Sequence, residues 1–331
     1  MKKLLLTGGY GYIGSKFIEK FSSKFNISVL DTVYYGKPLN NINFKHTHID
    51  KDIRDVTLSD LDDIDIVVHM GELCNDPLTD LNPSLTQEIN VEATQNLLDL
   101  SSKNNVQRFI YMSSCSVYGI ATEDLVDEKS KVQGISTYAN SKILNEEYIT
   151  NNKFNFESVI LRNATAYGYS TNIRLDIVVN DLVNAAIKSN KIELLSDGTP
   201  IRPLVHISDI CNTVDYFIDS VQNFDKEIFN VGRSEANYSI KEIAETIGKE
   251  LNISDISFSS QNPDKRSYKV SFLKIENFLE KEIFEFTLLD GIKDLIDNFK
   301  IENEFPNSRR IKKINELIEN KKLDSSLRWL T

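Results

Sequence analysis

Short apolar runs alternate with amphipathic stretches through the first half of the chain. Lys3–Leu6, Ile27–Leu30, Ile64–His69 and Phe109–Met112 are apolar without alternation, the pattern of strands covered on both faces. Helical patterns lie between them. In Pro83–Ser102, Ile89, Ala93, Asn96, Leu97 and Leu100 recur at spacings of three and four, which predicts one helix with an apolar stripe. Repeated βα units with buried strands predict an α/β fold built on a doubly wound parallel sheet.

After Arg162 the pattern loosens. It predicts a helix over Leu175–Ser189, a strand over Lys191–Leu195 ending in an Asp197-Gly198 turn, and helices over Ser208–Ser220, Ile240–Leu251 and Leu288–Phe299. These make a smaller, mixed α/β C-terminal lobe joined to the first by several chain crossings. We place the first domain at 1–165, with further crossings near 201–232, and the second at 166–331. The basic stretch Arg309–Lys322 is expected to be a solvated or subunit-facing helix.

At 331 residues the chain has room for two domains, or for one large domain with an appended lobe. Its 38 Lys and Arg against 49 Asp and Glu give a net charge of −11, which argues against a nucleic-acid partner. Cys74, Cys115 and Cys211 lie far apart with no CxxC pair, so no disulfide framework is expected. The apolar run at Leu4–Leu6 stops at Thr7-Gly8-Gly9, short of an export signal. No segment is apolar for long enough to cross a membrane. We therefore expect a soluble, cytoplasmic protein with no membrane partner.

The first strand runs straight into Thr7-Gly8-Gly9-Tyr10-Gly11-Tyr12-Ile13-Gly14 and then a helix. The spacing GxxGxxG allows a tight turn at Gly8, close approach of a pyrophosphate at Gly11, and helix–sheet packing at Gly14. The helix, expected from Ser15, offers free N–H groups at its N-terminus to that anion. Asp31 closes the second strand and suits an adenosine ribose, favouring NAD over its 2′-phosphate. Tyr138 and Lys142 stand four apart, on one face of a helix. A lysine charge about 4 Å away supplies about 4 kcal/mol at an effective dielectric near 20. That is enough to bring a phenol from ~10 toward ~7. Ser113, Ser114 and Ser116 sit at the C-terminal end of a buried strand, where open α/β sheets bind ligands.

With these residues in view, the chain resembles an extended short-chain dehydrogenase/reductase of the NAD-dependent nucleotide-sugar epimerase/dehydratase family. The resemblance rests on the glycine motif, Asp31, Ser113–Gly119 (SSCSVYG) and Tyr138–Lys142 (YANSK). Asp264–Tyr268 (DKRSY) is similar to a late arginine motif in a subgroup that includes capsular GDP-heptose 4-dehydrogenases. The resemblance implies a Rossmann domain holding NAD, a C-terminal lobe holding a nucleoside-diphosphate sugar, and a homodimer. It implies a catalytic triad of Ser114, Tyr138 and Lys142. It implies NAD contacts from Gly8, Gly11, Tyr12, Ile13, Gly14, Asp31, Asp52, Ile53, Met70, Gly71 and Asn90, besides Tyr138 and Lys142. Substrate contacts implied are Ser114, Thr165, Arg174, Arg202 and Arg266.

Cys115 and Ser116 stand where the family's dehydratases carry an Asp-Glu pair, so 4,6-dehydration is disfavoured. Met70-Gly71-Glu72 replaces the usual Leu-Ala-Ala, and Glu72 has no assigned role. We expect a sugar-nucleotide 4-epimerase. The alternative is a 4-dehydrogenase releasing a 4-keto sugar, and a non-catalytic NAD-binding scaffold is a more distant one. His46 and His48 share a strand face but read as surface histidines, and no metal is expected. His206 is expected to be structural, and Cys115 a buried filler.

Overall fold

The computed structural model describes all residues except 38–43, 75, 121–122, 261–266, 280–282, 303, 306 and 331. Seven strands form one parallel sheet: β1 (Lys3–Thr7), β2 (Asn26–Asp31), β3 (His46–Asp50), β4 (Ile66–His69), β5 (Arg108–Ser114), β6 (Glu157–Asn163) and a late strand, Glu227–Val231. In space they run β3, β2, β1, β4, β5, β6 and then the late strand, all parallel. The winding reverses between β1 and β4, and this reversal opens a crevice at their C-terminal ends.

Why the strands lack alternation is visible in their packing. Leu4, Leu6, Ile27 and Val29 enter one apolar layer, while Leu5, Leu30, Val67 and Phe109 enter the other. Helix Tyr12–Phe21 lies against Ile207–Asp219 on the first side; Ala93–Lys103 and Thr137–Asn151 lie on the second. The expected helix over Pro83–Ser102 is three pieces instead. Pro83–Thr86 and Ala93–Lys103 are α-helical, and Gln87–Glu92 between them is a π-turn. A locally wider turn leaves the three-and-four pattern nearly intact, so periodicity does not report it.

The C-terminal lobe holds β7 (Thr165–Tyr167), β8 (Ile192–Leu194), β9 (Ile201–His206), β11 (Asn237–Ser239) and β12 (Ile256–Phe258), with the late strand of the large sheet as β10. They form a β11–β9–β7 sheet and a β12–β8 pair, packed around Val179, Val183, Ile243, Ile247 and Ile292. The helix expected from Leu175 starts at Val178.

The tail corrects an expectation. Helix Arg310–Glu319 is solvated on one face only: Lys312, Asn315 and Glu319 are exposed, while Arg310, Ile314 and Leu317 are buried within the chain itself. Beyond it, the Tyr34 hydroxyl donates to the Leu327 carbonyl at 2.5 Å, and Trp329 Nε1 donates to the Thr32 carbonyl at 2.7 Å. The tail therefore packs onto the segment that leaves β2. Its basic residues masked the apolar pair Ile314 and Leu317, three apart, which joins the apolar layer on that side of the sheet.

Candidate active site

A cavity of about 570 Å³ occupies the crevice, walled by the ends of β1, β2, β4 and β5 and by the C-terminal lobe. Gly8 has φ +65°, and a Cβ there would meet Gly71 Cα at 2.7 Å. A Cβ at Gly14 would meet Gly9 Cα at 2.6 Å. These two glycines let strand, helix and the β4 loop close on each other. Helix Tyr12–Phe21 begins at Gly11 without a side-chain cap, so its first-turn N–H groups face the cavity without an intrahelical acceptor. Such a terminus suits an anion.

Asp31 lines the same wall. Its two carboxylate oxygens accept from the backbone of Val33 at 2.7 Å and of Tyr10 at 3.0 Å. Burial pushes its carboxyl up, and those two donors oppose the shift. Tyr10 thus orients the acid, a role the sequence did not single out. Asp52 and Ile53 line the wall beyond it. Burial would raise the Asp52 carboxyl, but hydrogen bonds from Arg54 at 2.7 to 3.0 Å hold it below the usual range.

At the end of β5 the serines divide. Ser113 Oγ donates to Glu146 at 2.5 Å, inside a buried network with Arg162. Ser114 Oγ accepts from Ser116 N at 3.1 Å and lines the cavity. Both serines border the cavity, but the Ser113 hydroxyl is committed to Glu146 whereas Ser114 Oγ accepts from Ser116 N. Ser116 Oγ is buried at the wall without a partner.

Helix Thr137–Asn151, capped by Ser136, brings Tyr138 and Lys142 to the same cavity. The Lys142 ammonium is 5.6 Å from the centre of the Tyr138 ring. It donates to the Met112 carbonyl at 2.6 Å and pairs with Glu72 at 2.7 Å. The electrostatic expectation needs correction here. Burial raises the Tyr138 phenol, Lys142 lowers it and Glu72 raises it again, leaving it above its ordinary value. The spacing YxxxK could not reveal Glu72, which arrives on the loop that leaves β4.

Met70, Gly71, Thr165, Arg174 and Arg202 also line the cavity. Arg174 donates to Asp176 at 2.8 Å and to Cys74 Sγ at 3.5 Å. Arg310, missed in the sequence, reaches the wall from the tail, with its guanidinium 4.2 Å from the Tyr35 ring centre. Arg266 lies outside the described residues. Asn90, by contrast, sits behind the wall, fully buried, accepting from Leu73 N at 2.8 Å and donating to Leu73 O at 2.9 Å, and so holds the β4 loop.

His46 and His48 are not free surface groups. Both rings lie against Tyr10, with His46 Nε2 2.8 Å from the Tyr10 hydroxyl. His206 is buried, stacked on Phe286, and caps helix Ile207–Asp219. Cys115 is buried and donates to the Arg162 carbonyl at 3.2 Å. Burial pushes its thiol well up. Among the described residues, no group of three or more His, Cys, Asp or Glu is placed to hold a metal ion. Among them, too, no helix is long and apolar enough to cross a membrane.

This geometry is matched by a family model, the NAD dependent epimerase/dehydratase family, over residues 4–232. The chain belongs to that family. It is an enzyme, and its cofactor is NAD. A candidate UDP-glucose 4-epimerase of Methanocaldococcus jannaschii is 27% identical over 310 residues, covering 91% of this chain and 99% of that protein. A UDP-glucuronic acid 4-epimerase from Bacillus cereus, solved with UDP-glucuronic acid and NAD, superposes with a TM-score of 0.79. It is 25% identical and covers 90% of this chain and 99% of its own. The NDP-hexosamine 5,6-dehydratase TunA superposes at 0.82 with 20% identity, over 92% of this chain and 99% of that one. At that identity the match bears on the fold alone.

Proposed function

We propose that this enzyme inverts a nucleoside-diphosphate sugar at C4, oxidising the carbon to a ketone and reducing it from the opposite face. The observation that carries this reading is the convergence of Ser114, Tyr138 and Lys142 with the glycine turn on one cavity. Tyr138 takes the proton of the C4 hydroxyl as C4 loses hydride. Ser114 donates a hydrogen bond to the oxygen as it becomes a carbonyl, and Lys142 supplies positive charge beside the phenol. NAD, when bound, supplies the hydride acceptor and, on return, the donor.

The residues present fit that cofactor. Gly8, Gly11 and the first-turn amides of Tyr12, Ile13 and Gly14 would hold its pyrophosphate, Asp31 its adenosine ribose, and Asp52 and Ile53 its adenine. Met70, Gly71 and Lys142 would border its nicotinamide end. Arg174 and Arg202, with Thr165, would hold the sugar nucleotide. The carboxylates that reach the cavity are elsewhere than beside Ser114, where Cys115 and Ser116 stand. Asp176 pairs with Arg174, and Glu72 with Lys142. This supports epimerisation over dehydration.

The test is product analysis after incubation with UDP-, GDP- and dTDP-hexoses. We expect a product of unchanged mass, inverted at C4 by NMR. A product lighter by one water would make the enzyme a dehydratase. A released 4-keto sugar with stoichiometric NADH would make it a 4-dehydrogenase.

A further inference from the structure

The loop leaving β4 carries an acid for which the sequence offers no role, and its surroundings supply one. The Glu72 side chain is 3% exposed and pairs with Lys142 at 2.7 Å. Its other oxygen accepts from the Tyr111 hydroxyl at 2.9 Å and lies 3.5 Å from Asn145 Nδ2. Three supports hold it there. Thr7 Oγ1 accepts from Met70 N and Gly71 N, both at 3.2 Å, and Asn90 clasps Leu73 from behind. Tyr111 and Asn145 also bond each other, at 3.0 Å.

His69 stands 3.6 Å from Glu72 but brings no charge. It is bridged by Thr7 and Thr94 at 2.7 and 2.8 Å. Burial, and then Lys142, lower its pKa to about 3. The cation that answers Glu72 among the described residues is therefore Lys142. The ammonium has two close oxygen partners, Glu72 and the Met112 carbonyl, and both lie off the phenol.

We propose that Glu72 is a positioning residue of the catalytic centre: its carboxylate holds the Lys142 ammonium and offsets its charge, so this ion pair governs how readily Tyr138 acts as a base. The proposal rests on the reading of Tyr138 as that base. A purely structural pair is the competing explanation, because a buried ion pair adds little net stability over an apolar replacement. The charged and titratable groups facing Tyr138 are Lys142 from its own helix, Glu72 and Cys74 from the β4 loop, and Arg174 from beyond β7. Asp80 adds a carboxylate at the start of the helix, accepting from Thr137 N at 3.2 Å. Glu72 itself faces His69, Tyr111 and Lys142. Of these groups, Glu72 is the one whose removal leaves Lys142 unneutralised.

The experiment is titration of the Tyr138 phenolate by its near-ultraviolet absorbance, in purified protein with NAD added. The spectrum of the matching Tyr138→Phe protein is subtracted in each background. Glu72→Gln keeps the size and one acceptor oxygen, free to turn toward Lys142 while the amide donates to the Tyr111 oxygen, and removes the charge. We expect Tyr138 to ionise about one pH unit lower, the order expected for removing a nearby unit charge at an effective dielectric near 20. The acidic limb of the pH–rate profile should move down with it. Glu72→Ala should move both in the same direction, and serves if the glutamine variant does not fold. An unchanged or upward titration in a folded variant would overturn the proposal. Failure of the catalytic reading shows differently: Tyr138→Phe would then retain turnover, whatever the titration does.

Discussion

The spacing of Tyr138 and Lys142 places them on one helix face and the resemblance gives them a role, yet their environment decides what they can do. Four residues on a helix put a phenol and an ammonium on one face, but no local pattern shows that Glu72 meets the same ammonium. Partners from distant segments are the part of a site that sequence conceals. Ser114 was likewise legible as one of several hydroxyls, and its separation from Ser113 needed the Glu146–Arg162 network. Replacing Tyr138 by Phe should lower kcat by about 10²–10⁴, the usual worth of a general base, while NAD stays bound. Lys142→Met removes a charge that lowers the phenol. The tyrosine then ionises at higher pH, so the acidic limb of the rate profile should move upward. Turnover above a tenth of wild type in Tyr138→Phe, measured on the true substrate, would contradict the assignment.

At the scale of elements, the buried strands were readable because helices cover both faces of the sheet, leaving no polar alternation to confuse the pattern. The interruption at Gln87–Glu92 was not readable, and it matters for the site. The π-turn carries Asn90, whose side chain closes both backbone groups of Leu73 and also reaches Ser141 Oγ at 3.3 Å. The resemblance implied a cofactor contact at Asn90; the structure gives it a hold on the loop that carries Glu72. Asn90→Leu would leave the Leu73 N–H and carbonyl without these partners. Each buried orphan of this kind costs about 1–3 kcal/mol. We expect a loss of that order in chemical denaturation, together with weaker NAD binding, because Met70 and Gly71 share the loop. A loss below about 0.5 kcal/mol would mean the loop is held by other contacts.

For the molecule as a whole, the tail ties the end of the chain to the segment that follows β2, beside the cleft. Leu323 and Leu327 are buried at 1% and 4% exposure, and Tyr34 and Trp329 tie the last turn to the segment following Asp31. Magnitudes decide which of these contacts count. The Arg328–Asp55 pair is more than a third exposed on both sides, and such surface pairs contribute about 0–1 kcal/mol. Burying two leucines contributes about 1.5–3 kcal/mol each. Arg328 also lies 3.5 Å from Asp52, but Arg54 already pairs with that carboxylate at 2.7 Å, so Arg328→Ala should change stability and NAD affinity little. Deleting residues 321–331 should lower stability by several kcal/mol and weaken NAD binding about tenfold or more, because Thr32 and Tyr34, which line the cavity beside Asp31, lose their anchors. Circular dichroism should show the parallel sheet retained, since its strands carry their own two layers of apolar cover. Calorimetric titration of both variants with NAD makes the comparison. Equal affinities in the truncated and full-length chains would show that the segment after β2 holds its shape without the tail.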